Sequence, residues 1–150
     1  MTMVSILTIL SCLLMTGNEL AVSLFVNPAI DHLQLREQAQ ILKLLAADLG
    51  RVMPFWYVAS LLLLFAEVWM HWHEPAFPWL LAATILWMAT ILFTVTTLVP
   101  INSRVAALDL DALPANWKQE HTKWDRLHRL RIVLLIAATA CLTYGLVGRF

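Results

Sequence analysis

The stretch "QEHTKWDRLHRLRIVLLIAATACLTYGLV" (119–147) decides the fold. Its second part, 132–147, is an unbroken apolar run, shorter than the roughly 20 residues a membrane-spanning helix needs. It reaches that length only by recruiting the polar residues before it, so histidines, an acid and arginines become part of a helix that enters the bilayer. A helix starting near Pro114 or Asn116, in the turn-like "DLDALPANW" (109–117), and running to about residue 147 is longer than a bilayer core is thick. Its first half therefore projects into the interface.

Working outward, three further apolar runs occupy 3–26, 52–70 and 78–99, each long enough to span. With the fourth segment taken as 128–147, the chain reads as an all-α bundle of four transmembrane helices in one domain, 1–150. Composition agrees. The chain is 61% hydrophobic and 13% charged, against about 45–50% apolar and about 25% charged in soluble domains. Net charge is zero, so no basic field points to nucleic acid. The N-terminal run lacks a basic leader and continues across "TGNEL" (16–20), which favours a retained helix over a cleaved signal. Cys12 and Cys141 lie within apolar spans, where cysteine behaves as a small hydrophobe.

Lys and Arg concentrate in the connections after the first and third spans and are missing from "HWHEPAF" (71–77). The positive-inside tendency then places those two connections in the cytoplasm and both termini outside, in a multi-pass protein of the plasma (inner) membrane. "LQLREQAQILKLLAADLG" (33–50) puts Ile41, Leu42, Leu45 and Leu49 on one face and ends at Gly50. It reads as an amphipathic interfacial helix, with Pro54 in the first turn of the next span.

Glu19 is the most informative single residue. An acid at the centre of a span costs on the order of 2.5–3.5 kcal/mol on insertion scales, so it must face the bundle and have a partner. On the fourth helix, His121, Asp125 and His128 share a narrow arc with Trp117 and Trp124, while Lys123 and Arg126 point away. Imidazole and carboxylate at this spacing suit a metal ion, with Glu19, His121, Asp125 and His128 as its candidate ligands, or a proton transfer by His128. An interfacial His–Asp hydrogen-bond network explains the same pattern without chemistry. Thr90, Thr94 and Thr97 form a hydroxyl stripe on the third span; Thr94 and Thr97 are candidate substrate contacts, although close helix packing accounts for such a stripe. Asn27, Asn102 and His128 fall near the cytoplasmic ends of their spans, at one level with Glu19. A pocket open to the cytoplasmic leaflet is expected there. Glu67, His71, His73 and Glu74 gather at the opposite end, where solvation or packing explains them.

Three blocks, "TGNELAVSLFVNPAI" (16–30), "VPINSRVAALD" (99–109) and "EHTKWDRLHRLR" (120–131), resemble the signature blocks of the anthrone oxygenase-like family of small four-helix membrane proteins. The G-x-E of the first helix, the P-x-N after the third and W-x-R-x-H-x-x-R of the fourth carry the resemblance. One departure is Asn27, where many relatives have His before the proline. The resemblance implies oxidation of a lipophilic aromatic, anthrone- or phenol-like substrate. Glu19, His128, Asn102 and Arg131 are then the catalytic candidates, and Trp124 and Asn27 join the substrate contacts. The cofactor is left open between a transition metal, iron or copper, and none. Expected partners are a lipophilic small molecule and the bilayer, with a homo-oligomer left open. A non-catalytic membrane module, such as a permeation subunit, a lipid binder or a helper of another protein, is the alternative.

Overall fold

A computed structural model describes residues 2–148. Among them the secondary structure is helical, with no strand. Four helices are long and apolar enough to cross a membrane: α1 (Met3–Asp31), α2 (Leu35–Met70), α3 (Phe77–Ala106) and α4 (Trp117–Val147). Up-down-up-down connection puts the 32–34 and 107–116 links at one end, which carries most of the basic residues, and the 71–76 link at the other. We call these the basic end and the opposite end.

Local chemistry explains where the helices start. Thr2 Oγ1 accepts from Ser5 N at 3.1 Å, capping α1. Gln34 and Glu37 form a capping box at the start of α2, with Gln34 N donating to Glu37 at 3.2 Å. Gln38 ties the preceding turn by donating to the carbonyls of Asp31 and Leu33. Asn116 is the N-cap residue of α4, whose 31 residues extend about 46 Å. The fourth helix inferred from 119–147 is therefore present, and longer than a bilayer core is thick.

The surface is inside-out relative to a soluble bundle. Phe55, Trp69, Leu62, Leu92 and Val133 are largely exposed, while Ser60, Glu67, Thr8, Thr90 and His128 are fully buried. Such a surface has lipid as its natural solvent, as expected of a multi-pass membrane protein. The main core runs through the bundle around Met15, Leu64, Leu80, Trp87 and Leu135. Gly145 brings α4 against α3: a Cβ there would lie 3.1 Å from Trp79 Cβ and 3.2 Å from Leu80 Cδ2.

The amphipathic segment differs from its expected form. Gly50 does not stop a helix; α2 runs through it without interruption for 36 residues. A glycine stop needs a left-handed conformation, and no described glycine has positive φ. Gly50 instead sits four residues before Pro54, the carbonyl position that a proline ring crowds, where a residue lacking a side chain has most room to adjust. The segment keeps its amphipathic role. Ala39 and Leu42 join Ile30, Leu108 and Trp117 in a second, smaller core at the basic end. Lys43 Nζ donates to the Leu108 carbonyl at 2.8 Å, and Arg36 pairs with Asp111 at 2.6 Å, fastening the 107–116 link over that core.

Two helices change pitch near the basic end. Residues Val22–Val26 of α1 and Thr94–Leu98 of α3 form π turns, with Asn27 N–H bonded to the Val22 carbonyl and Val99 N–H to that of Thr94. Each turn lies just before a proline, Pro28 or Pro100. Proline lacks an N–H and crowds the carbonyl four residues back, and a widened turn relieves that crowding without ending the helix.

Candidate functional site

Glu19 meets partners from two other helices. Tyr57 OH on α2 donates to Glu19 Oε1 at 3.2 Å. Arg131 Nη2 on α4 donates to Glu19 Oε2 and also reaches His128 Nδ1 at 2.8 Å. His128 Nε2 lies 3.1 Å from the Glu19 carbonyl oxygen, and its Nδ1 lies 3.5 Å from Glu19 Oε2. All four side chains are buried, His128 completely. A guanidinium can only donate and a carbonyl can only accept. His128 Nδ1 is therefore the acceptor and Nε2 carries the hydrogen, which fixes a neutral imidazole in one tautomer. The carboxylate of Glu19 and the guanidinium of Arg131 compensate each other's charge, as a buried pair requires.

Trp124 covers the imidazole. Its ring stacks on His128 with centroids 4.5 Å apart and planes 12° apart, and His121 lies 6.2 Å beyond in the same orientation. Among the described residues three buried side-chain donors have no acceptor: Arg131 Nε and Trp124 Nε1 in this cluster, and Asn18 Nδ2 on the residue preceding Glu19. An unpaired buried donor costs about 1–3 kcal/mol, so this concentration is a notable feature of a site already rich in hydrogen bonds.

The candidate residues thus divide. Glu19, His128, Arg131 and Trp124 are brought together. Asn27 is buried and donates to Asp125 Oδ1 at 3.1 Å, while Asp125 Oδ2 pairs with Arg129 at 2.6 Å. Asp125 is thereby committed to an amide and a guanidinium, and His121 to the aromatic stack. The four proposed metal ligands do not converge, and no group of three His, Cys, Asp or Glu side chains among the described residues is placed to hold an ion. Asn102 is half-buried on α3 beyond the π turn and makes no hydrogen bond to the cluster. Thr94 and Thr97 donate to the carbonyls of Thr90 and Phe93, at 2.8 and 2.6 Å, so their hydroxyl hydrogens serve their own helix around the π turn.

Tyr57 joins the cluster although its position near the start of an apolar span reads as that of a membrane-interface aromatic. The signal was present: Tyr57, Ser60, Leu64 and Glu67 recur at helical spacing and are all buried. Trp87 Nε1 donates to the Tyr57 carbonyl at 3.1 Å and the two rings lie 5.7 Å apart, so α3 holds this part of α2 in place.

The expected pocket at the basic end is not open at the cluster, which is sealed by its own side chains. A groove of about 670 Å³ lies along α1 and α4 toward the opposite end and is lined by Leu13, Thr16, Ile136, Thr139 and Thr143 among others. A smaller one at the basic end is lined by Gln119, Thr122, Lys123, Arg126 and Leu127.

Comparison with known proteins yields one informative match. The family model described as anthrone oxygenase matches residues 43–141. No curated protein and no solved structure gives a match. The matched stretch contains Tyr57, Asn102, Trp124, His128 and Arg131; Glu19 lies before it and enters the site through its contacts with them. With about two thirds of its length covered by that one model, the chain belongs to the anthrone oxygenase family.

Proposed function

We propose that the protein is a membrane-embedded oxygenase acting on a lipophilic aromatic ketone or phenol of the anthrone type, with Arg131 and His128 as its working pair. The observation that carries this reading is the unpaired Arg131 Nε beside a neutral His128 whose lone pair that same arginine covers. A substrate oxygen is the acceptor these donors lack. As it binds, the guanidinium turns from imidazole to substrate, and His128 Nδ1 becomes free to take a proton from the methylene carbon that lies across the central ring from the ketone and is conjugated to it through the flanking rings. Arg131 and Trp124 Nε1 then stabilise the oxyanion that forms. The electron-rich anion is the species that reacts with O2. Over the full reaction the methylene carbon loses two hydrogens and gains one oxygen atom, and the second oxygen leaves as water. Glu19 holds Arg131 within the membrane, and Tyr57 holds Glu19. No step is assigned to a metal, because the acids and imidazoles at the site are each turned to other partners.

The test is oxygen uptake and quinone formation by the purified protein in lipid nanodiscs supplied with anthrone. Wild type is expected to consume O2 in proportion to quinone formed. His128→Ala and Arg131→Lys are expected to lower kcat by roughly a hundredfold or more, the scale of removing a general base or an oxyanion donor. Oxygen uptake no faster than in empty nanodiscs would overturn the reading.

A further inference from the structure

A sealed site acting on a molecule dissolved in the bilayer needs a way in. We infer that the substrate enters sideways from the membrane, between α1 and α4, through the groove that ends at the Thr16–Thr139 hydrogen bond. This inference rests on the functional reading above and adds the path to it.

Glu19, Tyr57, His128 and Arg131 are each 6% exposed or less. Nothing reaches them without a side chain moving. The α1–α4 groove approaches them from the half of the bundle farther from the basic end. Its walls are apolar, as a membrane-dissolved aromatic requires, with threonine oxygens spaced along them. Its inner limit is the pair Thr16 Oγ1 and Thr139 Oγ1, 3.0 Å apart and both buried. Thr16 lies three residues before Glu19 on α1, and Thr139 lies eight residues after Arg131 on α4. Beyond that pair the next turn on α1 is the cluster itself.

The seam also has the mechanics of a door. On its other flank α4 is locked to α3 by Gly145, where even a methyl group would crowd Trp79 and Leu80. Between α1 and α4 at this level the polar link among the described residues is one hydroxyl–hydroxyl bond. Parting it breaks a single neutral hydrogen bond, and a substrate hydroxyl or carbonyl can replace it. The groove at the basic end is instead lined by Lys123, Arg126 and Gln119, side chains that suit water and headgroups more than an apolar ring. The occupant is a flat, largely apolar molecule bearing one or a few oxygen atoms.

The test closes each route in turn and measures anthrone oxidation in nanodiscs. A Thr16→Cys/Thr139→Cys pair, in a chain with Cys12 and Cys141 replaced by alanine, forms a disulfide across the groove floor on oxidation. Turnover is expected to fall by roughly tenfold or more when the pair is oxidised and to return on reduction. Ala140 also lines the groove, and Ala140→Trp, in the otherwise natural chain, is designed to fill it away from the cluster and is expected to raise KM with kcat kept. Thr122→Trp, at the basic-end groove, is expected to change neither. Wild-type kinetics in both the oxidised pair and Ala140→Trp would overturn the lateral route while leaving the oxygenase reading in place. So would a KM effect confined to Thr122→Trp, or a change of oligomeric state in Ala140→Trp without a kinetic effect. Failure of the natural protein to oxidise anthrone would remove both.

Discussion

The bundle buries two glutamates, and it treats them differently. Glu19, near the basic end, faces a guanidinium, a phenol and a neutral imidazole, so a full opposite charge stands against its carboxylate. Glu67, near the opposite end, is completely buried yet has no Lys or Arg beside it among the described residues. Ser5 and Thr8 hydroxyls lie 3.4 Å from its two oxygens, and His71 Nδ1 lies 3.3 Å away while also bonding the Glu67 backbone carbonyl at 2.9 Å. Around Glu67 the polar contacts link α1 to α2 and lead out through His71 toward exposed Glu74. Around Glu19 they join three helices and include donors that have no acceptor among the described residues. Burial of an acid therefore does not mark a site by itself. A compensated charge together with unmet donors distinguishes the Glu19 cluster from the surroundings of Glu67.

The comparison can be broken most directly at Arg131. Arg131→Met strands the Glu19 carboxylate inside the membrane, and removing one partner of a buried pair costs about 3–5 kcal/mol. Thermal unfolding in detergent should show that loss, and adding Glu19→Gln should recover a large part of it. Independent, additive losses would mean the two residues are not coupled. Next in size is Tyr57→Phe. It removes a hydrogen bond to a charged acceptor, worth about 1.5–3 kcal/mol, and should lower turnover because Glu19 holds Arg131. Unchanged stability and turnover would show that the phenol is only a packing ring.

Asn27→Asp places a carboxylate against Asp125 where an amide now donates. Arg129, pairing with Asp125 from an exposed position, limits the damage. We expect a loss of about 1 kcal/mol that grows at low salt, read from unfolding at two ionic strengths. The smallest effect belongs to Glu67→Gln. An amide can still meet hydroxyls and imidazole, so stability should change by less than about 1 kcal/mol and anthrone turnover should not change. A loss there as large as at Arg131 would erase the distinction between the two ends.

Much of this was legible in the sequence, because lipid leaves few choices. Four apolar runs fixed four helices, and the cost of an intramembrane acid singled out Glu19. The shortness of 132–147 drew His128 and Arg131 into the last helix. What escaped had a common cause: local signals were given meanings that tertiary packing overrode. Gly50 looks like a stop, but buried faces on both sides of it carry α2 straight through. Tyr57 looks like a membrane-interface aromatic until Trp87 and Glu19 close around it. Asp125 shares its arc with His121 and His128 but answers to Asn27, a residue ninety-eight positions away that no helical wheel of α4 could include.

The π turn in α1 bears on how this helix should be counted. Glu19 and Asn27 are eight residues apart and both face inward, whereas eight steps of a regular helix would turn the second about 80° from the first. A π turn absorbs one residue, so the two are placed as though seven apart and lie nearly in line. Residues 22–26 therefore hold a spare position. Deleting one of them would let the segment close into ordinary helix with both flanks still in phase, while the same deletion at Leu10 would swing everything before it by about 100°. An alignment gap within 22–26 would mark a relative with a straighter first helix and the same inward-facing residues.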